Sequence, residues 1–205
     1  MTRPERGQPQ VVLMPLDVEL SVLGAGDGLE PRADWTETAK TYLLEAIRSE
    51  KASKQIDMVV FQDERAGAAH QDVVNQLIKL HGVVGNSILV HQYVQEAALP
   101  SKNGQFEWSV GPSAKALKEI YKSDYALFVW MRDSYSSGGR VAMMLLAGAM
   151  GIGVPGGQQL GFASLVELET GNVVWFNLLH RGTGDLRSAE GAVGTAQYLL
   201  AQLPK

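Results

Sequence analysis

The chain has 205 residues, 45% of them hydrophobic and 20% charged, with a net charge of −4; this is the composition of one globular domain large enough to bury roughly 70% of its unfolded surface without a staple. The absence of cysteine excludes disulfides and thiolate-ligated metals. A mildly acidic balance with scattered cations supplies none of the phosphate-neutralising charge on which nucleic-acid binding depends, so no nucleic-acid partner is expected.

Residues 1–9 are rich in Pro, Gly and charge and read as a disordered tether. No apolar run of the signal-peptide kind follows Met1; the polar start suits either a natural terminus or the tether of a mature secreted chain. From residue 10 to 205 the pattern is that of a single α/β domain. Val11 to Leu23 reads as a strand, with Pro15 marking an edge position or a bulge, and Gly24-Ala-Gly-Asp-Gly as a loop. Asp34-Trp-Thr-Glu37 has capping-box spacing at the head of a helix, with Ala39, Tyr42, Leu43, Ala46 and Ile47 on one face. Asp57 to Gln62 is a short strand. A long helix from about Ala68 carries Val73, Leu77, Leu80 and Val84 as its stripe, and Gly82 and Gly85 weaken its later part.

Leu99 to Gly111 is loop-like, with Phe106 and Trp108 as ordering residues. Pro112 suits the first turn of a helix bearing Leu117, Ile120 and Tyr121. Asp124-Tyr-Ala-Leu-Phe-Val-Trp-Met is a buried-strand pattern. A Gly/Met insertion at 136–157 follows, and no charge falls between Arg140 and Glu167. Glu169-Thr-Gly-Asn172 joins two apolar runs as a hairpin turn, with Gly171 supplying positive φ. A last helix spans about Ser188 to Leu203, with Val193, Ala196, Leu199, Leu200 and Leu203 on one side. Strands and helices in this order predict an α/β fold: a mixed sheet with a C-terminal antiparallel hairpin and helices packed on it.

The chemistry-bearing motifs are weak. Gly24-Ala25-Gly26 lacks the third glycine of a dinucleotide fingerprint, since position 29 is Leu29, and it reads as a loop. No Gly-Lys pair, nucleophile elbow or Ser-x-x-Lys motif occurs. His70, His81, His91 and His180 contain no His-x-x-x-His pair, and His70 and His81 would stand about 16 Å apart on one helix; no metal, cofactor or catalytic set is expected. The carboxylate pairs Asp63/Glu64 and Glu167/Glu169 read as solvated surface.

The run Val141-Ala-Met-Met-Leu-Leu-Ala-Gly-Ala-Met-Gly-Ile-Gly-Val-Pro-Gly-Gly is too broken for a spanning helix of about 20 residues and does not alternate like a barrel strand. Two readings stay open: a short buried helix between strands, or an exposed apolar element for self-association or partner docking, with adaptable methionines. On the second reading the interaction residues are Tyr135, Arg140, Met143, Met144, Leu146 and Met150, and Ser136-Ser-Gly-Gly139 is a flexible hinge.

The Asp124–Val129 strand, Tyr135-Ser-Ser-Gly-Gly and the hairpin Leu165-Val-Glu-Leu-Glu-Thr-Gly-Asn-Val-Val-Trp175 resemble the CsgG-like superfamily of bacterial envelope lipoproteins, which includes the curli secretion channel subunit and LpoB-type activators of penicillin-binding proteins. Glu167 stands where that family more often has Asp. The resemblance implies a periplasmic α/β domain held at the outer membrane by a lipidated N-terminal cysteine that this chain lacks. It implies a non-enzymatic protein that binds a protein partner in the envelope or self-associates; a secretion-channel subunit is the second expectation, and a soluble nucleotide-binding enzyme the third. Residues 141–156 lack the strand alternation of channel-forming members.

Overall fold

The computed structural model describes residues 9–54, 56–62, 64 and 67–204; the tether expected over residues 1–9, apart from Pro9, and Asp63 of the carboxylate pair lie outside them. A seven-stranded mixed sheet organises the chain around one long strand, β5 (Tyr125–Ser136). β1 (Val11–Leu13) and β2 (Asp17–Leu23) both run parallel to β5, Val11 opposite Tyr125 and Asp17 opposite Trp130. Six steps along the first segment thus match five along β5, so one extra residue is accommodated at Met14–Leu16. Pro15 therefore marks a bulge in what is topologically one lane of the sheet, at a position where a missing N–H costs no ladder bond.

β3 (Leu29–Pro31) returns antiparallel to β2 through the Gly24–Gly28 turn, and β4 (Met58–Val60) pairs parallel with β1. β3 was not foreseen. On the other side of β5 lies β6 (Gln159–Glu167), antiparallel, and then β7 (Val173–Arg181). This is the expected C-terminal hairpin. Its Gly171 has φ +76°, and a Cβ there would stand 2.0 Å from the Gly111 carbonyl oxygen, so the turn needs glycine for both conformation and approach.

Helices cover both faces. α1 (Ala33–Lys54) and the final helix pack on one face, where Leu20, Leu127, Val129 and Leu179 meet Leu43, Ile47, Ala196 and Leu199. α2 (Ala68–Tyr93) and α3 (Lys115–Tyr121) pack on the other, where Val12, Ala126, Phe128 and Val166 meet Leu77, Ile88, Leu117 and Tyr121. A strand buried on both faces reads as a continuous apolar run, which is why β5 lacks alternation.

Several expectations are corrected. The first helix begins at Ala33, so Asp34 sits inside its first turn rather than at the cap. There it pairs with Arg32 at 2.9 Å and still favours the positive helix end. α2 runs unbroken through Gly82 and Gly85. A Cβ at position 85 would fall 2.1 Å from the Phe162 ring, so this glycine lets helix and sheet approach closely. Leu80 is exposed, whereas Val74, Leu77, His81 and Ile88 form the buried stripe. Among the described residues only His70–Tyr93 is long and apolar enough to cross a membrane; here its inner face is sealed on the sheet.

Between β5 and β6 stands a further helix, α4 (Gly138–Ala149), and the expected hinge is its start: Ser137 caps it and Gly138 and Gly139 lie in its first turn. The last helix is α5 (Ala189–Leu199), capped by Ser188, and Val193 faces outward instead of joining its buried side.

Candidate docking surface

α4 owes its limits to both ends. The Ser137 hydroxyl accepts from the Arg140 amide at 3.1 Å, satisfying one of the first-turn donors. At the far end Gly151 takes φ +76°, its N–H donates to the Gly148 carbonyl at 3.0 Å, and the Ile152 N–H donates to Ala147 at 2.9 Å. This is the paired closure of a Schellman motif, which needs a residue free to adopt the left-handed region.

The helix is moored by its one charge. Arg140 is 3% exposed; its Nε and Nη2 donate to the Pro155 carbonyl at 3.1 and 2.8 Å, and its Nη1 pairs with Asp27 of the β2–β3 turn. The returning segment is fastened to β5 as well: the Gly157 N–H donates to the Ser136 hydroxyl at 3.1 Å, and the Ser134 N–H to the Gln158 carbonyl at 2.9 Å. Met144 lies against Gly156. Replacing Arg140 by Met orphans the Pro155 carbonyl and frees the helix. Hydrogen bonds from a charged donor contribute about 2 kcal/mol, so α4 amides in Arg140→Met should exchange roughly 30-fold faster, read by hydrogen–deuterium exchange.

What this mooring presents to solvent is apolar. Leu145 is 71% exposed, Leu146 70%, Met150 71%, Ile152 55% and Val141 45%. Positions 141 and 145, and 146 and 150, are one turn apart, so the side chains form two adjacent rows along the outward face. Only Ala147 and Arg140 of this helix are buried. Soluble monomers rarely expose so contiguous an apolar strip.

The six residues singled out from sequence fall in three places. Leu146 and Met150 lie on the exposed face. Met143 and Met144 are half-buried on its inner side, and Arg140 is the buried anchor. Tyr135 is apart from them, on the α1 side of the sheet: its hydroxyl donates to Asp133 at 2.5 Å and accepts from the Leu186 N–H at 2.9 Å, and its ring meets Trp35 edge to face at 5.6 Å. Val141, Leu145 and Ile152 complete the face and were missed; the i, i+4 spacing of Val141 and Leu145 was the available signal, and Ile152, past the end of the helix at Ala149, had none.

Beside the base of α4, Asp133 anchors a polar network. It also accepts from Gln159 at 2.8 Å, and Gln159 in turn accepts from Arg181 at 2.8 Å and from Thr195 at 3.2 Å. Burial raises the Asp133 carboxyl above its ordinary value, against the hydrogen bonds from Tyr135 and Gln159; burial, and then Asp133 itself, raises the Tyr135 hydroxyl. The adjoining cleft holds only about 180 Å³. A serine–histidine contact, His81 Nε2 to Ser164 Oγ at 2.6 Å, is sealed. The two residues are 2% and 0% exposed, and the imidazole stacks on Phe128 at 4.6 Å. Among the described residues no three His, Asp or Glu side chains converge as metal ligands.

No family model matches the chain, and no curated protein matches it. Solved structures similar to it include the PelC dodecamer from Paraburkholderia phytofirmans (11% identity, 95% of this chain and 86% of that chain, TM-score 0.38). Others are lipoprotein GNA1162 from Neisseria meningitidis (10% identity, 96% and 99%, TM-score 0.34) and the LpoB C-terminal domain from Salmonella enterica (11% identity, 84% and 82%, TM-score 0.30). The LpoB group, which the hairpin residues resemble, is thus represented among the structural neighbours. At these identities and scores each is a similarity alone.

Proposed function

We propose that this chain is a non-enzymatic interaction domain of the bacterial cell envelope that self-associates through the outward face of α4. The observation that carries this is the row of Val141, Leu145, Leu146, Met150 and Ile152, held out in solvent by a helix whose single charge is buried beneath it. The segment from 141 to 166 has no charge, so it offers nothing to a highly charged partner and is complementary to another apolar surface such as its own. An envelope location, in the periplasm at the outer membrane, rests on the hairpin resemblance; a diacylglyceryl cysteine on the native protein's N-terminal peptide, found by intact mass, supports it, and an unmodified Met1 or Thr2 overturns it.

Sedimentation equilibrium tests the association. Apolar anchors at an interface centre are worth about 2 kcal/mol or more each, so Leu145→Ser/Leu146→Ser should weaken self-association by at least about 100-fold. Because both side chains are exposed in the monomer, its thermal unfolding should stay unchanged. A wild-type chain that remains monomeric at about 100 μM, a concentration where even weak specific pairs assemble, or a variant that associates as before, sinks the proposal.

A further inference from the structure

The solvent face of α2 carries no charge over its second half. Between Lys79 and Glu96 the chain has no Asp, Glu, Lys or Arg, whereas the outward side of a helix packed on a sheet ordinarily carries them. Val83 is 64% exposed, Val90 43% and Tyr93 51%. With Lys79 and Asn86, exposed as well, they form one row: Lys79, Val83, Asn86, Val90, Tyr93. Its steps alternate between four and three residues, which keeps a row in line along one helix and is the spacing of the seam between two paired helices. Leu80, also exposed, stands beside the row.

The row complements itself. An interface between two copies about a two-fold axis sets each residue against one about equally far beyond the axis. With the axis at Asn86, Val83 meets Val90 and Lys79 meets Tyr93. Asn86 meets its own copy, and an amide suits that place because it both donates and accepts. Its Nδ2 donates to the Gly82 carbonyl at 2.7 Å and keeps a second N–H and the side-chain oxygen for the other copy. The ends agree in charge. Neither Lys79 nor Glu96 has an ion-pair partner among the described residues. Glu96 lies at the C-terminal end of α2, where His91 Nδ1 donates to the Ala97 carbonyl at 2.7 Å. An antiparallel copy therefore brings its Lys79 to a carboxylate, the Tyr93 ring and the negative end of a helix at once. A parallel copy would set Lys79 against Lys79.

We infer that the outward row of α2 is a second self-association surface, on which two copies of this chain pair antiparallel about a two-fold axis at Asn86, closed at both ends by Lys79 and Glu96. This surface is separate from α4, and a chain with two such surfaces assembles beyond a dimer. Substitutions on α4 remove one step of that assembly and leave this one, so the pairing is tested in the Leu145→Ser/Leu146→Ser background.

Sedimentation equilibrium of that variant at about 100 μM is expected to show dimers. Lys79→Glu or Glu96→Lys added to it should each weaken the dimer at least about tenfold at low salt, because each change sets like charges together at both ends. An equimolar mixture of the two should restore it, since a mixed pair again has opposite charges at both ends. Both side chains are exposed, so thermal unfolding should be unchanged. The chain has no cysteine, so introduced thiols report the geometry. Under copper–phenanthroline oxidation Asn86→Cys should cross-link. Asn75→Cys, exposed on the same helix but about 33 Å from its copy in an antiparallel pair, should not. A monomer, charge variants that pair as before, a mixture that stays dissociated, or cross-linking at both positions would each overturn the inference. A monomer that binds phosphatidylethanolamine–phosphatidylglycerol vesicles would overturn it in favour of a lipid surface. Failure of the α4 proposal leaves these outcomes unchanged, since they are read with the α4 face disabled.

Discussion

Acidification from pH 7 to pH 4 should remove about 3 kcal/mol of stability through His81 alone. Its imidazole is packed between Phe128 and Phe162 and bonded to Ser164, and burial pulls its pKa from 6.5 to about 3. The folded state binds no proton there until near pH 3, whereas the unfolded chain binds one from pH 6.5 downward. Between those values the unfolded state holds more protons, so stability falls as pH falls and levels off near pH 3. At about 1.4 kcal/mol per unit the full span is of order 5 kcal/mol. Other groups move the curve too. Glu169, held down to about 2 by Lys115 and Lys118, loses stability in the same direction below pH 4.5. Asp133, raised by burial, gains stability as pH falls through its folded value. The double variant His81→Phe/Ser164→Ala isolates the histidine. It removes donor and acceptor together, which can be nearly neutral at pH 7, and fills the site with a ring that still stacks. Urea denaturation of both proteins at pH 7 and pH 4 should show the gap between them shifting by about 3 kcal/mol in favour of the variant. Parallel pH curves for the two proteins would mean that His81 is hydrated in the folded state.

The parts of the fold that were legible in the sequence are those decided by neighbours in the chain. The β6–β7 hairpin depends on Gly171 and two flanking apolar runs; the α1 stripe depends on 3.6-residue spacing; the Pro15 bulge depends on a missing N–H. The parts that were not legible depend on what lies opposite. Gly85 weakens a helix in isolation and strengthens it here, because Phe162 occupies the space a side chain would need. Val193 fits a helical stripe, yet the side of its helix that is buried is that of Ala192, Thr195, Ala196 and Leu199. β3 is three residues long and exists only because β2 offers an edge.

The docking surface divides the same way. Its apolar character and its methionines stand in the sequence, but burial is a tertiary property. Arg140, a charge next to a glycine pair, reads as surface and is the anchor. Tyr135 reads as part of the insertion, yet strand alternation sends it to the α1 side, where Asp133, Leu186 and Trp35 take it up. Whether Leu145 points in or out is settled by Arg140 gripping Pro155, a pairing fifteen residues apart that no local pattern encodes.

Phe162→Ala should cost about 4 kcal/mol, within the range for emptying a fully buried aromatic site. The ring is 0% exposed and sits in a ladder across three strands, stacked on Trp130 at 4.9 Å and on Phe176 at 5.2 Å. It is also the surface on which α2 rests, through the bare Cα of Gly85. In the wild-type protein Gly85→Ala therefore drives a methyl into that ring and should cost about 2 kcal/mol, an overpacking penalty larger than the gain in helix propensity. In the Phe162→Ala background the obstacle is gone. The same methyl then fills part of the cavity and recovers up to about 1 kcal/mol of helix propensity, so its effect should change sign. Urea unfolding of the four proteins in the cycle measures this, with an expected coupling of about 2–3 kcal/mol. Additive costs would mean that α2 shifts along the sheet to avoid the clash, which would carry His81 away from Ser164 and so would also flatten the acid transition of Gly85→Ala. The two measurements constrain one another, because a single helix register sets both contacts.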